Sequence, residues 1–260
     1  MKPVMLLDMD GTITEPRQRI DRITLEAILA ASKNFNVSIV TGSDINFLME
    51  QCGRDFIEAD ISSDLLPCNG TKLYRKLENK YNKIFSLDMR SGIGDENVSA
   101  IVFSIIKSQK IVKEQFNIKT TGEYISYRGS VINWSLIGRD SSIQDRRSFC
   151  NNGLNDTVRL EAVNILKSIL SIKVSGLIDS VLGGQTSIDI YPKGWSKIYA
   201  LNHYPEASDI YFIGDKCSPG ENDYDLYKTL VGDGKAFSVN SVSETVDILR
   251  ELGRSRYISP

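Results

Sequence analysis

Short apolar runs alternate with amphipathic stretches at both ends of the chain. Near the start, "VMLL" reads as a buried strand. After a loop through Arg17, apolar residues recur at Ile23, Leu25, Ile28 and Leu29, a helical spacing with Asp21 or Thr24 near its start. "NVSIVTGSD" is a second short strand ending in small polar residues, and "INFLMEQC" suits the next helix. "DLLPCNG" then closes on the turn signal Asn69-Gly70.

From about Leu77 the pattern changes. "IVFSIIKSQ" predicts an amphipathic helix, and "EYISYRGSVINWSLIGR" predicts two strands joined around Arg128-Gly129-Ser130. "TVRLEAVNILKSIL" is another helix, with Asp156 as its cap, and "LIDSVLGG" and "TSIDIYP" form a second strand pair. Helix, two strands, helix, two strands describes an antiparallel sheet covered by helices. After Trp195 the first pattern returns: helix "SKIYALNHY", strand "DIYFIGD", polar loop "KCSPGEND", strand "KAFSVN" and helix "SETVDILREL". The expected fold is α/β: a parallel-sheet core at residues 1–82 and 191–260, split by an inserted α+β domain at residues 83–190.

A chain of 260 residues suits a core carrying a smaller insert, and 41% hydrophobic with 25% charged residues is ordinary for a globular protein. The net charge of -2 gives no general attraction to nucleic acid or to an acidic membrane. An anionic ligand must therefore be held by a local cluster of bases. Cys52, Cys68, Cys150 and Cys217 are too far apart for a zinc or disulfide framework and fit a reducing compartment. With no signal peptide and no segment of membrane-spanning length, the expectation is a cytoplasmic protein. Histidine-based catalysis would have to run through the single His203, which reads instead as a surface or capping residue. That leaves carboxylates, lysine and arginine for any chemistry.

Ligands of open parallel sheets sit beyond the carboxyl ends of the strands. Here those ends carry Asp8 and Asp10 in "LLDMDGTIT", Thr41 and Ser43, and Asp215 with Asn222 and Asp223 beyond it; Lys197 begins a helix after the insert. Acids gathered in one crevice repel without a cation, and oxygen ligands with no histidine or cysteine favour Mg2+. The set suits phosphoryl transfer, where positioning and charge neutralisation do most of the catalysis. Asp8 would attack phosphorus, and Lys197 with the hydroxyl of Ser43 or Thr41 would hold phosphoryl oxygens. Asp10 would move the leaving-group proton. Taken singly, each is as readily a turn former or a solvated charge; their order and placement together carry the reading.

"DMDGT", a hydroxyl after the second strand, a later lysine and "GDKCSPGEND" resemble the four motifs of the haloacid dehalogenase superfamily. That implies a Rossmann-like core, and the insert resembles a C2-type cap. "DMDGTITEPRQRI", "GEYISYRGSVINWSLIGR", "GGQTSIDIYPKGWSK" and "IYFIGDKCSPGEND" extend the likeness to eukaryotic-type phosphomannomutases along almost the whole chain. By that resemblance Asp8 is the nucleophile and Asp10 the acid/base, while Asp8, the Asp10 carbonyl and Asp215 hold magnesium. Arg17, Arg128, Arg139, Ser187 and Asp189 fall on the sugar-phosphate contacts. A further cap arginine falls on Arg146 without gaps, or on Arg147 if "QDRR" is aligned on its glutamine; Arg146 is taken. The resemblance also implies a hexose phosphate substrate, a hexose 1,6-bisphosphate activator and, as an allowed assembly, a homodimer.

Three positions depart from the family pattern. Thr41 replaces a glycine, Cys68 a glutamate and Glu221 a glycine. A phosphatase lets water take the aspartyl-phosphate, whereas a mutase must exclude water and return the group to a sugar phosphate. The expectation is a phosphomannomutase. A Mg2+-dependent sugar-phosphate phosphatase is the alternative, and a non-catalytic sugar-phosphate binding protein is disfavoured by the presence of both acids.

Overall fold

The computed structural model describes residues 2–61, 63–151, 155–207 and 209–255. The chain divides into two compact units, Met1–Ser86 with Trp195–Pro260, and Leu87–Gly194.

In chain order the first unit opens with β1 (Val4–Leu7), α1 (Arg22–Ala31) and β2 (Asn36–Val40). A helix follows in three pieces: α2 (Ile45–Leu48), a wide π-helical turn at Met49–Gly53, and α3 (Arg54–Glu58). Then come β3 (Ser63–Leu66) and the hairpin β4 (Lys72–Leu77) and β5 (Lys80–Ser86). The second unit holds α4 (Met89–Ile93), the long α5 (Asp95–Phe116), β6 (Ile125–Tyr127), β7 (Ile132–Ser135), α6 (Ile143–Asn151), α7 (Asn155–Ile169), α8 (Ile172–Ser175), β8 (Ile178–Gly183) and β9 (Ser187–Pro192). The chain returns to the first unit for a 3-10 helix (Lys197–His203), β10 (Ile210–Gly214), α9 (Tyr224–Val231), β11 (Ala236–Ser238) and α10 (Val242–Ser255).

The first unit is built on one sheet ordered β11-β10-β1-β2-β3-β4-β5. Strands β11 to β3 pair in parallel and the β4–β5 hairpin adds antiparallel strands at one edge. The continuous apolar run of β1 has a simple cause. Met5 and Leu7 pack with Ile28, Phe35 and Leu249 on one face, while Val4 and Leu6 pack with Phe212 and Leu226 on the other. Burying each such side chain stabilises the fold by about 1.5–3 kcal/mol. Asp21 caps α1 by accepting from the Thr24 backbone N–H at 2.8 Å, so of the two candidates it is the cap.

Three expectations are corrected. The breaks between units fall after Ser86 and Gly194, because β5 and β9 run on past residues 83 and 190. "SKIYALNHY" forms a 3-10 rather than an α-helix. Asp156 lies inside the first turn of α7, where it binds Arg159 at 2.6 Å.

The second unit carries an antiparallel sheet ordered β6-β7-β9-β8. Register places Asn133 opposite Asp189 and Ser135 opposite Ser187, so these four share one face. The other face is apolar, with Ile132, Trp134, Ile188 and Ile190 buried. Trp134 Nε1 donates to Gln109 Oε1 of α5 at 2.6 Å, so this tryptophan is a packing residue.

Candidate active site

Asp8 is the first polar residue after β1 and is almost wholly buried. Its Oδ1 accepts from Lys197 Nζ, and Thr12 Oγ1 donates to its Oδ2 at 3.5 Å. The Lys197 ammonium, itself fully buried at the start of the 3-10 helix, also donates to Asp223 Oδ1 at 2.5 Å. Asp223 is held in turn by the Lys216 backbone N–H, which donates to its Oδ2 at 3.0 Å. Two glycines make room for the acids. A Cβ at Gly11, where φ is +88°, would overlap the Asp215 carboxylate, and one at Gly214 would stand 2.7 Å from Asp223 Oδ2.

Carboxylate oxygens of Asp8, Asp215 and Asp223 lie within 4.8 Å of one another. Three carboxylates against one ammonium leave a formal charge of -2 in a largely buried space. Burial, followed by the neighbouring acids, pushes the Asp8 carboxyl up despite Lys197; burial and Asp223 push Asp215 up to about 6. Burial works against the Lys197 charge, but Asp223 and Asp8 outweigh it and the ammonium is stabilised. A hard cation would relieve the remaining repulsion, so the donor set fits a metal ion bound through oxygen.

Asp10 has a separate set of partners. Its Oδ1 accepts from the Arg17 backbone N–H at 3.0 Å, with Arg17 in a left-handed turn at φ 62°. Gln51, buried on the π-helical turn, reaches the same oxygen. With its amide oriented to satisfy both ends, its nitrogen lies 3.1 Å from Asp10 Oδ1, 3.2 Å from Gln18 O and 3.0 Å from Thr14 Oγ1. Its backbone carbonyl accepts from the Ile20 N–H at 2.7 Å, so one residue fastens the loop carrying Arg17 at both ends. The Arg17 side chain is exposed and lies over the Phe47 ring.

The hydroxyl loop follows β2. Thr41 is buried and its Oγ1 accepts from the Ser43 N–H at 3.1 Å, while Ser43 is half-buried. The Cys68 N–H donates to Ser43 O and the Asn69 N–H to Thr41 O, tying this loop to the one after β3. His203 is structural, with Nε2 2.7 Å from Gly70 O. Glu221, the departure in the acidic loop, accepts from the Ser218 N–H at 2.8 Å.

In the second unit, Arg128 sits in the β6–β7 turn closed by its N–H to Val131 O, and Gly129 takes φ 82°. Ser187 Oγ donates to Gly183 O at 2.8 Å. Asp189 Oδ1 accepts from Asn133 Nδ2 at 2.7 Å, and Asn133 Oδ1 accepts from Arg139 Nη1 at 3.1 Å. Arg146 is buried and Arg147 exposed. The Arg146 guanidinium donates to Ser141 O, Thr186 Oγ1 and Arg139 O, which fixes the backbone of Arg139. Burial, and next the Arg139 charge, lower the pKa of Arg146. Two crowded guanidinium groups are an arrangement that an anion relieves.

The profile described as eukaryotic phosphomannomutase matches residues 24–255. The chain belongs to the eukaryotic phosphomannomutase family. Phosphomannomutase 1 of Dictyostelium discoideum is 33% identical over 251 residues, 96% of each chain. The phosphomannomutase of Babesia bovis is 32% identical over 254 residues, covering 97% of this chain and 98% of its own. Among solved structures, the N-terminally truncated, IMP-bound IMP-nucleotidase of Plasmodium falciparum aligns over 96% of this chain and 68% of its own. Its TM-score is 0.70 at 14% identity, a likeness of fold alone. A trehalose-6-phosphate phosphatase related protein aligns over 98% of both chains with a TM-score of 0.54 at 13% identity. Within this phosphomannomutase-family chain, Asp8, Asp215 and Lys197 come together as the motifs suggest. Asp223 completes the group, while Asp10 is held by a separate set of donors. The motif carrying Asp223 was visible in the sequence; nothing in the residue pattern marked Gln51 or Asn133.

Proposed function

We propose that the protein is a phosphomannomutase interconverting mannose 6-phosphate and mannose 1-phosphate. The observation that carries this reading is Asp8, bound to a buried lysine beside two further acids, in a member of this family. Asp8 and Asp215, with the Asp10 carbonyl and Asp223 close by in sequence or space, would hold Mg2+. That ion, when bound, supplies the positive charge that lets a carboxylate meet a phosphate dianion.

Asp8 attacks the phosphorus of a hexose 1,6-bisphosphate, and the P–O bond to the sugar breaks as the Asp–O–P bond forms. Lys197, and Ser43 or Thr41, hold the phosphoryl oxygens. Asp10 gives its proton to the departing sugar oxygen. It removes one from the sugar hydroxyl that takes the phosphoryl group back, restoring the bisphosphate from a monophosphate bound the other way round. Arg128, Arg139 and Arg146 hold the phosphate that is not transferred, and Ser187 and Asp189 the sugar hydroxyls. Arg17 orients the sugar phosphate from the loop that pins Asp10. The reading places the enzyme in the cytoplasm, in keeping with the thiols of Cys52, Cys68, Cys150 and Cys217.

The test is a coupled assay of mannose 1-phosphate with Mg2+, with and without a hexose 1,6-bisphosphate, while free phosphate is measured in parallel. Isomerisation stimulated by the bisphosphate and exceeding phosphate release is expected. Phosphate release alone would establish a phosphatase.

A further inference from the structure

Asp10, the residue taken as the acid/base, meets its donors on one oxygen. Its Oδ1 accepts from the Arg17 backbone N–H at 3.0 Å and from the Gln51 side-chain nitrogen at 3.1 Å. Among the described residues no donor reaches its Oδ2. Gln51 lies on the π-helical turn and is 4% exposed, so its amide must find its partners inside the protein. The amide nitrogen faces three acceptors: Asp10 Oδ1, Gln18 O at 3.2 Å and Thr14 Oγ1 at 3.0 Å. The Thr14 hydroxyl gives its own proton to Met9 O at 3.3 Å, which leaves its lone pairs for Gln51. An amide turned the other way would set its oxygen against two further oxygens, Asp10 Oδ1 and Gln18 O. The surroundings therefore fix which end of the amide meets the acid.

We propose that Gln51 is a positioning residue for Asp10, and that the proton Asp10 carries rides on Oδ2. A carboxyl oxygen has two lone-pair positions, and on Oδ1 two N–H groups occupy both. The protonated acid therefore has its O–H on the other oxygen. Pinning Oδ1 also stops the carboxyl turning about its Cβ–Cγ bond. Oδ2 then presents the same edge when it gives a proton to the departing sugar oxygen and when it takes one from the attacking hydroxyl. The Arg17 N–H supplies one contact from the loop itself. Gln51 supplies the second from a separate element, whose Leu48, Cys52 and Phe56 are anchored in the apolar core. Neutrality matters as much as reach. A lysine here would donate, but its charge would favour the ionised acid and oppose the half of the cycle in which Asp10 must hold a proton. Glutamate would set an acceptor against Oδ1, methionine would fill the space and donate nothing, and asparagine is too short.

This inference rests on the phosphomannomutase reading, which takes Asp10 as the acid/base. The experiment follows phosphoenzyme formation by rapid quench with labelled glucose 1,6-bisphosphate, together with kcat and KM for mannose 1-phosphate, in the Mg2+-loaded full-length protein. The variants are Gln51→Met, Asp10→Ala and the two combined. Gln51→Met should slow phosphoenzyme formation and kcat by roughly tenfold or more, the loss of about one charge-assisted contact felt at the transition state, while KM changes less. The decisive comparison is the double variant. In the Asp10→Ala background the same substitution should change the rate by less than about twofold, because the group it positions is gone. A merely structural role predicts the same factor in both backgrounds, and that result would overturn the proposal, as would a full rate in Gln51→Met. If Gln51→Met does not fold, Gln51→Glu, nearly the same in size, carries the same comparison. A full rate in Asp10→Ala would overturn the acid/base reading underneath. The two failures are told apart because Gln51 is intact in that variant.

Discussion

Asp223 Oδ1 lies 2.5 Å from Lys197 Nζ, and neither side chain is exposed to solvent. A lysine buried this deeply remains charged only because Asp223 and Asp8 both accept from it. Lys197→Met leaves those two acids facing each other with no ammonium between them. Without metal, it should cost about 3–5 kcal/mol of stability, measured by urea unfolding in EDTA, and Mg2+ should recover part of the loss. Asp223→Asn should cost less, since Asp8 still holds the lysine. Both should lower kcat by at least about tenfold.

Asp8→Asn should abolish turnover in a folded protein, because an amide cannot form the phosphoenzyme. Asp10→Asn should be severely impaired through loss of proton transfer, typically worth about 100- to 10,000-fold. Incubation with a labelled hexose bisphosphate, followed by acid quench, should trap label on wild type and none on Asp8→Asn. A normal rate in folded Asp8→Asn would remove the nucleophile from the mechanism.

The Asp215 carboxyl, pushed up to about 6 by burial and by Asp223, predicts a pH effect with a definite sign. A carboxyl whose pKa is raised on folding destabilises the folded, metal-free protein when ionised. In EDTA its contribution to stability should therefore improve as pH falls through about 6 toward the ordinary value of 3.8. Magnesium needs the ionised form, so its affinity should fall over the same range, by up to about tenfold per pH unit. Melting curves with EDTA and with Mg2+ from pH 7 downward test both parts, and the two sets should converge as the acid protonates. Exhaustive EDTA treatment near neutral pH should abolish activity. Asp215→Ala should raise the Mg2+ requirement or abolish activity, whereas a change at Cys217 should not.

If Arg128 and Arg139 hold the phosphate that stays on the sugar, replacing either by Ala removes a contact worth about 1.5–3 kcal/mol. That corresponds to roughly ten- to hundredfold in rate if fully felt at the transition state. With the sugar phosphate held less tightly, water takes the phosphoryl group from the aspartyl-phosphate more often, and the ratio of phosphate release to isomerisation should rise. Arg17→Ala should shift that ratio less. Wild-type isomerisation in Arg128→Ala and Arg139→Ala would make these arginines surface charges.

The core strands were legible because burial on both faces turns them into unbroken apolar runs, as in Val4–Leu7. The insert's strand pairs were legible through turn signals such as Arg128-Gly129-Ser130. The β4–β5 hairpin was not, because its edge position leaves lysines and an asparagine on a mostly exposed face. The chemistry at strand ends was legible as an ordered set, since Asp8, Lys197 and Asp215 each follow a recognisable run. Gln51 and Asn133 escaped for a common reason. Each is a neutral polar residue inside an apolar element, and only the folded structure shows which charged group it faces.

The wide turn at Met49–Gly53 gives this site a constraint of length as well as of residue identity. A π-helical turn holds one residue more than an α-helical one. Deleting a single residue from it would let the helix run straight from Ile45 to Glu58 with its hydrogen bonds intact. The flanking pieces would keep their buried faces, while the residues of the turn itself would be re-spaced. Gln51 would then point away from Asp10 while the core on either side stayed packed. The segment thus acts as a spacer whose residue count, invisible to any substitution scan, sets where the proton-carrying acid is held.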